Sequence, residues 1–373
     1  MKKYNFLLVG AGLFNITLGR KLTNAGYKCL IIDKRNHIGG NCYTERKHNI
    51  DVHVYGPHIF HTSNKQVWNF VNKYAEFIPF QLNTKANYNG CIYSLPFNMN
   101  TFYELFGVCS PKSASELIAD EIVKNDNPQN LEEQALSLVG KTIYETLIKG
   151  YTEKQWNKPC TELAPEIIKR LPVRLTWNNN YFNDIYQGLP LGGYTLWMMS
   201  MIAGVDSEES IDYQLNTDFL VDIDYWMSQA DRIIYCGEPD KLMNYKLGEL
   251  DWRSLKFNHT EIDNTLANDQ GCPVMNYTSN IQDYTRTIDH KYLTPLYQKA
   301  SKKIFTYEYP QDYVKEKTEA YYPVNNDKNN ELYQKYVELI KETYPNMYLG
   351  GRLGLYTYLD MDDTIEAAMK LQL

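Results

Sequence analysis

The chain has 373 residues, and at roughly 150 residues per domain that is enough for two or three domains. With 38 Lys and Arg against 45 Asp and Glu its net charge is −7, which excludes a global basic field for nucleic acid or an anionic membrane; any anionic ligand must be held by a local cluster. A hydrophobic share of 43% can bury a sizeable core and excludes disorder as the main state.

In chain order, the start MKKYNFLLVGAGLF imitates a secretory leader, but no small-x-small cleavage site follows and polar Asn15 interrupts the apolar run. Tyr4 to Val9 reads instead as a strand, Gly10 to Gly12 as a turn, and Ile16 to Ala25 as a helix that Gly26 ends. Lys28 to Ile32 is a second apolar run closed by Asp33, which begins a parallel sheet in a βαβ fold. Residues 85–99 alternate polar and apolar around Asn89-Gly90, a hairpin signal. From Asn100 to Arg170 the pattern turns helical, with an acidic first turn near Ser113 to Glu116 and a long amphipathic stretch from Asn130 to Ile148. Gly188 to Gly193 is a breaker cluster expected to open another unit. Asp231 to Gly237 then reads as a buried strand that re-enters the first sheet. Short β-rich runs follow within 243–317, among them Val274 to Thr278 and Lys303 to Tyr307. A last strand, Met347 to Leu349, precedes a closing helix from Asp362 to Leu371 with acidic residues in its first turn. No internal repeat and no apolar run of ~18 residues occurs, so no membrane span is expected.

Seven cysteines without a CxxC pair have no spacing for zinc and read as reduced thiols of a cytoplasmic protein. Gly10-Ala11-Gly12-Leu13-Phe14-Asn15 follows a strand and opens a helix, the setting in which backbone N–H groups cradle a dinucleotide pyrophosphate. Asn15 stands where close helix–strand packing wants Gly or Ala, so the helix is expected to sit slightly off the strand and Asn15→Gly to raise retention of the bound dinucleotide. Asp33 is placed to accept hydrogen bonds from an adenosine ribose; its alternative use is to cap the following turn. The turn from Arg35 to Asn41, with Gly39 and Gly40 paired, points to FAD more than NAD, and no second GxGxxG exists.

Many short segments together resemble the bacterial UDP-galactopyranose mutase family. They are Gly39-Gly40-Asn41, Tyr55 to Thr62 (YGPHIFHT), Leu95 to Phe102 (LPFNMNTF), Leu131 to Ala135 (LEEQA) and Lys149 to Trp156 (KGYTEKQW). Further along stand Ile167 to Arg174 (IIKRLPVR), Tyr186-Gln187-Gly188, Arg253 to Phe257 (RSLKF), Tyr284-Thr285-Arg286, Tyr321 to Asn325 (YYPVN) and Gly350 to Leu353 (GGRL). The resemblance implies an α/β fold: a Rossmann-like FAD-binding domain (1–80, 192–242, 318–373), an inserted helical domain (100–170) and an antiparallel sheet domain for substrate (81–99, 171–191, 243–317). It implies a nucleotide-sugar isomerase in a homodimer, with NAD(P)H as a transient reductant. In that family's chemistry N5 of reduced FAD attacks the anomeric carbon and expels UDP, the ring opens through a flavin iminium, and reclosure interconverts UDP-galactopyranose and UDP-galactofuranose without net redox change.

Residue by residue, the resemblance assigns Arg170, on a mobile loop, and Arg286 to the substrate diphosphate, whose oxygens suit bidentate guanidinium donors. Arg174 is a possible neighbour. Tyr322 and Tyr358 resemble phosphate-binding phenols, and Tyr151 and Tyr181 a pair beside the nucleotide, with Tyr151 stacked on uracil. Gln155 and Trp156 are expected near the sugar and the mobile loop. His58 is expected beside the flavin, as a positioning group or proton relay. The cofactor is expected to touch Gly10, Gly12, Leu13, Phe14, Asp33, Lys34, Gly40, Asn41, His58, Ile59, Arg352, Asp360 and Met361, and the closing helix to point its N-terminus at the flavin. Gln81 to Ala86 and Leu359 depart from the family pattern on the sugar side, which leaves open another sugar (N-acetylgalactosamine or a deoxy sugar) or another base. A flavin oxidoreductase of the amine-oxidase type is the remaining alternative. Of 32 tyrosines, these four and the motif residues Tyr186 and Tyr284 have a place in this scheme, so the excess reads as compositional bias.

Overall fold

A computed structural model describes residues 3–168 and 173–373. Tyr4–Val9 lies at the centre of a five-stranded parallel sheet, between Cys29–Ile32 and Ala230–Tyr235, with Asp212–Gln214 and Met347–Leu349 outside them. Its three central strands are mostly apolar and buried because helices cover both faces, whereas the edge strand Asp212–Gln214 is exposed. The first helix, Leu13–Asn24, packs against the final helix, Met361–Lys370, and the re-entry expected of Asp231 to Gly237 is observed.

The Gly188 cluster behaves differently from expectation. Tyr186–Pro190 is a strand, paired antiparallel with both Phe60–Thr62 and Phe77–Pro79 rather than with the large sheet expected to hold residues 171–191. Gly188 is needed within it, since a Cβ there would stand 2.9 Å from the Ile78 carbonyl oxygen. The turn comes only at Gly192 and Gly193, both at positive φ, and opens the buried helix Gly193–Ala203.

The large sheet has seven strands. Trp252–Asp263 and Lys302–Asp312 form a long antiparallel pair, longer than the short runs expected. Arg286–Asp289, Val274–Tyr277, Thr84–Tyr88 and Cys91–Leu95 extend the sheet on one side. Tyr322–Pro323, expected with the dinucleotide domain, closes the other. Val274–Tyr277 runs parallel to Thr84–Tyr88, so the sheet is mixed rather than wholly antiparallel. Direct partners share a face, and the register therefore places Thr84, Val274, Asn276, Arg286 and Glu308 on one side. Asn89 and Gly90 both adopt positive φ in a two-residue hairpin turn, as expected.

The expected helical stretch is observed as Met99–Phe106, Pro111–Glu121, Leu131–Ile143 and Gly150–Trp156 around a core of its own. The second of these starts ahead of the acidic turn expected at Ser113 to Glu116, because Ser110 caps it and Pro111 takes its first position. The long amphipathic stretch is not continuous. Gly140 breaks it at φ 79°, where a Cβ would meet Glu121 Cβ at 2.5 Å, and Tyr144–Lys149 winds as a wider π turn. Among the described residues no helix is long and apolar enough to cross a membrane, and all seven cysteines are free thiols.

Candidate functional site

The glycine turn is braced from three sides. Gly10 has φ 103°, open to residues without a Cβ. Asp33 accepts from the Ala11 N–H at 2.7 Å through Oδ2 and from the Arg35 N–H at 2.8 Å through Oδ1, so it caps the next turn while bordering the cavity. Gly39 N–H donates to the Ala11 carbonyl at 2.7 Å, and a Cβ on Gly40 would stand 3.2 Å from Gly12 Cα. The first helix starts after Gly12 without a side-chain cap, leaving its leading N–H groups for an anion.

Asn15 reverses the sequence expectation. Its side chain is fully buried, and Nδ2 donates to the Val9 and Gly10 carbonyls, each at 2.9 Å. The amide fastens the helix to the end of the first strand where a glycine would only permit the approach, so a gain in flavin retention from Asn15→Gly is no longer expected.

From this turn a cavity of about 540 Å³ runs past Asn41 and Arg352 to His58, Ile59 and Arg286. Each of the residues expected at the cofactor borders it, as do Tyr151, Tyr181, Arg286, Tyr322 and Tyr358. The final helix opens onto it at Asp360 and Met361, again without a side-chain cap and with Asp362 and Asp363 in its first turn. No cluster of metal-ligating side chains occurs among the described residues.

At the far end, Arg286 Nε donates to Glu308 Oε1 at 2.7 Å. Glu308 is fully buried and was not singled out by its sequence context, although an inward-facing acid in a strand is a signal worth reading. The pair fixes one edge of the guanidinium and leaves its terminal nitrogens for a ligand. Burial pushes the Tyr151 phenol up to about 12, so it stays a neutral donor. The Arg352 guanidinium carbon lies 5.3 Å from the Tyr322 ring centre and 5.8 Å from that of Tyr358, whose hydroxyl donates to Asp360 at 3.0 Å. Asn276 Oδ1, facing the same cavity, is buried without a partner among the described residues.

Two residues hold the Tyr151 helix to the sheet. A Cβ on Gly150 would stand 2.4 Å from the Thr278 carbonyl oxygen. Lys154 Nζ donates to the carbonyls of Tyr277, Gln282 and Tyr284 at 2.8, 3.2 and 3.0 Å. Burial lowers this ammonium to about 8.

Gln155 and Trp156 do not themselves border the cavity. Gln155 offers its carbonyl to Arg253, and Trp156 packs against the helical core because the helix turns that face inward. Arg174 donates to the Asn180 and Tyr181 carbonyls and so braces the loop that carries Tyr181. Arg170 lies outside the described residues.

His58 Nδ1 donates to the Gly56 carbonyl at 2.7 Å, which leaves Nε2 as an open acceptor. Burial, then the charges of Arg352 and Arg286, lower its pKa to about 4, so the ring is neutral near pH 7. His61, also on the wall, pairs with Asp184.

A sequence profile of the family described as UDP-galactopyranose mutase matches residues 146–358, and one described as an NAD(P)-binding Rossmann-like domain matches residues 8–74. The chain is 41% identical to a probable UDP-galactopyranose mutase of Klebsiella pneumoniae, over 99% of this chain and 94% of that one. It is 39% identical to a dTDP-fucopyranose mutase of Escherichia coli, over 98% and 96%. Among solved structures, reduced UDP-galactopyranose mutase superposes with a TM-score of 0.75 at 14% identity, over 99% of this chain and 93% of that one, a likeness of fold.

Proposed function

The chain belongs to the UDP-galactopyranose mutase family, and from that premise we propose that it interconverts UDP-galactopyranose and UDP-galactofuranose on reduced FAD. The observation that carries this reading is the anchored Arg286, standing with Tyr151 and Tyr322 at the far end of a cavity that begins in a dinucleotide-type glycine turn. A flavin dinucleotide fits the residues present. Two uncapped helix N-termini and the Gly12–Gly40 approach suit a pyrophosphate and a ring carbonyl edge, and Asp33 suits a ribose. When bound and reduced, the flavin supplies the nucleophile for the anomeric carbon.

The chain's own residues then have separable tasks. Arg286, with Arg170 proposed beside it, holds the diphosphate as it leaves and returns. Tyr322 donates to it without adding charge, while Tyr358, whose hydroxyl donates to Asp360, borders the same space. Tyr151 offers a flat face to the base, Tyr181 borders the cavity mouth, and neutral His58 accepts a hydrogen bond at the flavin. NAD(P)H is the proposed reductant, acting transiently, in a cytoplasmic homodimer.

A second reading keeps the chemistry and changes the nucleotide sugar. The Escherichia coli dTDP-fucopyranose mutase matches at nearly the identity of the first relative, and apolar Leu82 and Val274 lie on the cavity wall. Competition of UDP, CDP and dTDP for the reduced protein separates the bases. Family membership leaves the oxidase alternative without support. The main reading is tested by incubating dithionite-reduced protein with UDP-galactofuranose. UDP-galactopyranose is the expected product on chromatography, and its absence with flavin bound and reduced overturns the reading.

A further inference from the structure

His61, on the cavity wall, meets Asp184 across 123 positions of sequence. Antiparallel pairing of His61 with Gln187 brings the loop before Tyr186–Pro190 against Phe60–Thr62. His61 Nδ1 lies 2.8 Å from Asp184 Oδ2, while Ser63 Oγ donates to Oδ1 at 2.7 Å. Gln187 Nε2 donates to the Asp184 carbonyl at 2.7 Å, so the residue is held at both carboxylate oxygens and at its backbone. The imidazole lies flat on Phe182, with ring centres 3.7 Å apart and planes 18° apart.

A carboxylate only accepts, so Nδ1 carries the hydrogen, and the ring in its neutral form presents Nε2 as a bare lone pair. Nε2 has no hydrogen-bond partner among the described residues, and His61 and Phe182 both border the cavity. An imidazole whose orientation and tautomer are set by a third group is the arrangement of a general base.

We propose that Asp184 is the positioning residue for His61, and that His61 Nε2 carries the proton exchanged between the sugar's O4 and O5; this rests on the pyranose–furanose reading above. In forming the five-membered ring, the bond from the anomeric carbon to O5 breaks and O5 gains a proton, while O4 bonds to that carbon and loses one. The two oxygens sit on adjacent carbons, within reach of one nitrogen. A neutral imidazole that takes the O4 proton becomes the donor to O5 and returns to neutrality; the reverse reaction exchanges the roles. Protons and electrons balance, and no further reactant is needed.

The test compares wild type with Asp184→Asn, Asp184→Glu and His61→Asn, each checked for flavin content and UDP binding. In Asp184→Asn the amide can donate, so side-chain 15N NMR is expected to show His61 switched to the Nε2–H tautomer. Turnover is expected to fall by about tenfold or more with KM unchanged, and Asp184→Glu to restore the tautomer and part of the rate. An unchanged tautomer in Asp184→Asn, wild-type turnover despite a switched tautomer, or a loss confined to KM overturns the proposal. The NMR arm needs no turnover, so a wild type that interconverts no nucleotide sugar counts against the function and leaves the tautomer result readable.

Discussion

Arg286 and Glu308 stand directly opposite each other on adjacent antiparallel strands, and the guanidinium Nε donates to a carboxylate that no solvent reaches. Such a pair gives little net stability but sets direction, because a guanidinium fastened at Nε presents its two terminal nitrogens as a fork. Glu308→Leu should leave the fork unaimed and weaken UDP binding by about tenfold or more, or ~1.4 kcal/mol. Glu308→Gln keeps an oxygen acceptor in the same place and should stay within about threefold of wild type. Calorimetric titration with UDP distinguishes them. A Gln variant as weak as the Leu variant would show that the charge of Glu308, not its geometry, matters.

Asn15→Gly removes two buried hydrogen bonds and places glycine within a helix. At about 0.5–1.5 kcal/mol per hydrogen bond and a few tenths of a kcal/mol for glycine over asparagine in a helix, the loss is roughly 1–3 kcal/mol. Thermal unfolding should come several degrees earlier, and the flavin-to-protein ratio after gel filtration should fall. Equal unfolding temperatures and equal flavin content would refute the fastening role.

Two buried imidazoles, His53 and His290, and the half-buried His58 make the fold sensitive to mild acid. Burial lowers His58 to about 4, with the charges of Arg352 and Arg286 adding to it, lowers His290 to about 3, and holds His53 well below the ordinary value. The unfolded chain takes up these protons below about 6.5, where the folded chain refuses them, so the stability they contribute is complete above that pH. It is lost as pH falls from there toward the folded values, at up to ~1.4 kcal/mol per unit for each ring. Asp240 works the other way: burial raises it to about 6, so below that pH the folded state binds a proton that the unfolded state, with an ordinary carboxyl, does not yet hold. Burial also raises Asp51, Asp289 and Asp362, so the carboxyls offset part of the slope set by the rings. Unfolding followed between about pH 7 and 5 should show this loss, and His290→Asn should flatten it relative to its own stability at neutral pH. A wild-type midpoint constant across that interval would rule the account out.

The glycine turn, the second strand ending at Asp33 and the hairpin at Asn89-Gly90 were legible because each is decided within a few residues. Their chemistry is local: positive φ, a helix start, alternation of period two. Glu308 and Asp184 were not legible, because each acquires its meaning from a partner brought in by strand pairing, 22 and 123 positions away. Gly188 was misread for the same reason. A glycine that ends an element and a glycine that lets two backbones touch look alike until the Ile78 carbonyl is in place. Asn15 was misread because the fingerprint records what must be absent at that position, whereas this chain solves the contact with an amide that adds two hydrogen bonds.

The helix Gly150–Trp156 is docked by one missing group and one present charge, and the two separate in their consequences. Gly150→Ala would drive a methyl to within 2.4 Å of the Thr278 carbonyl oxygen, a backbone atom that cannot rotate aside. The helix must shift outward, taking Tyr151 with it, at about 1–3 kcal/mol of stability. Lys154→Met keeps the stem but strips three carbonyls of their donor, loosening the 277–284 loop that leads into Arg286. Both variants should therefore bind UDP more weakly by about tenfold while retaining flavin, because the Asp33 end of the cavity is built from other strands. Their pH behaviour should differ. The Lys154 ammonium titrates at about 8, so wild-type UDP affinity should decline above that pH as the clamp loses its charge, with the same decline in Gly150→Ala and none in Lys154→Met. Parallel pH curves in all three proteins would assign the alkaline decline to another group.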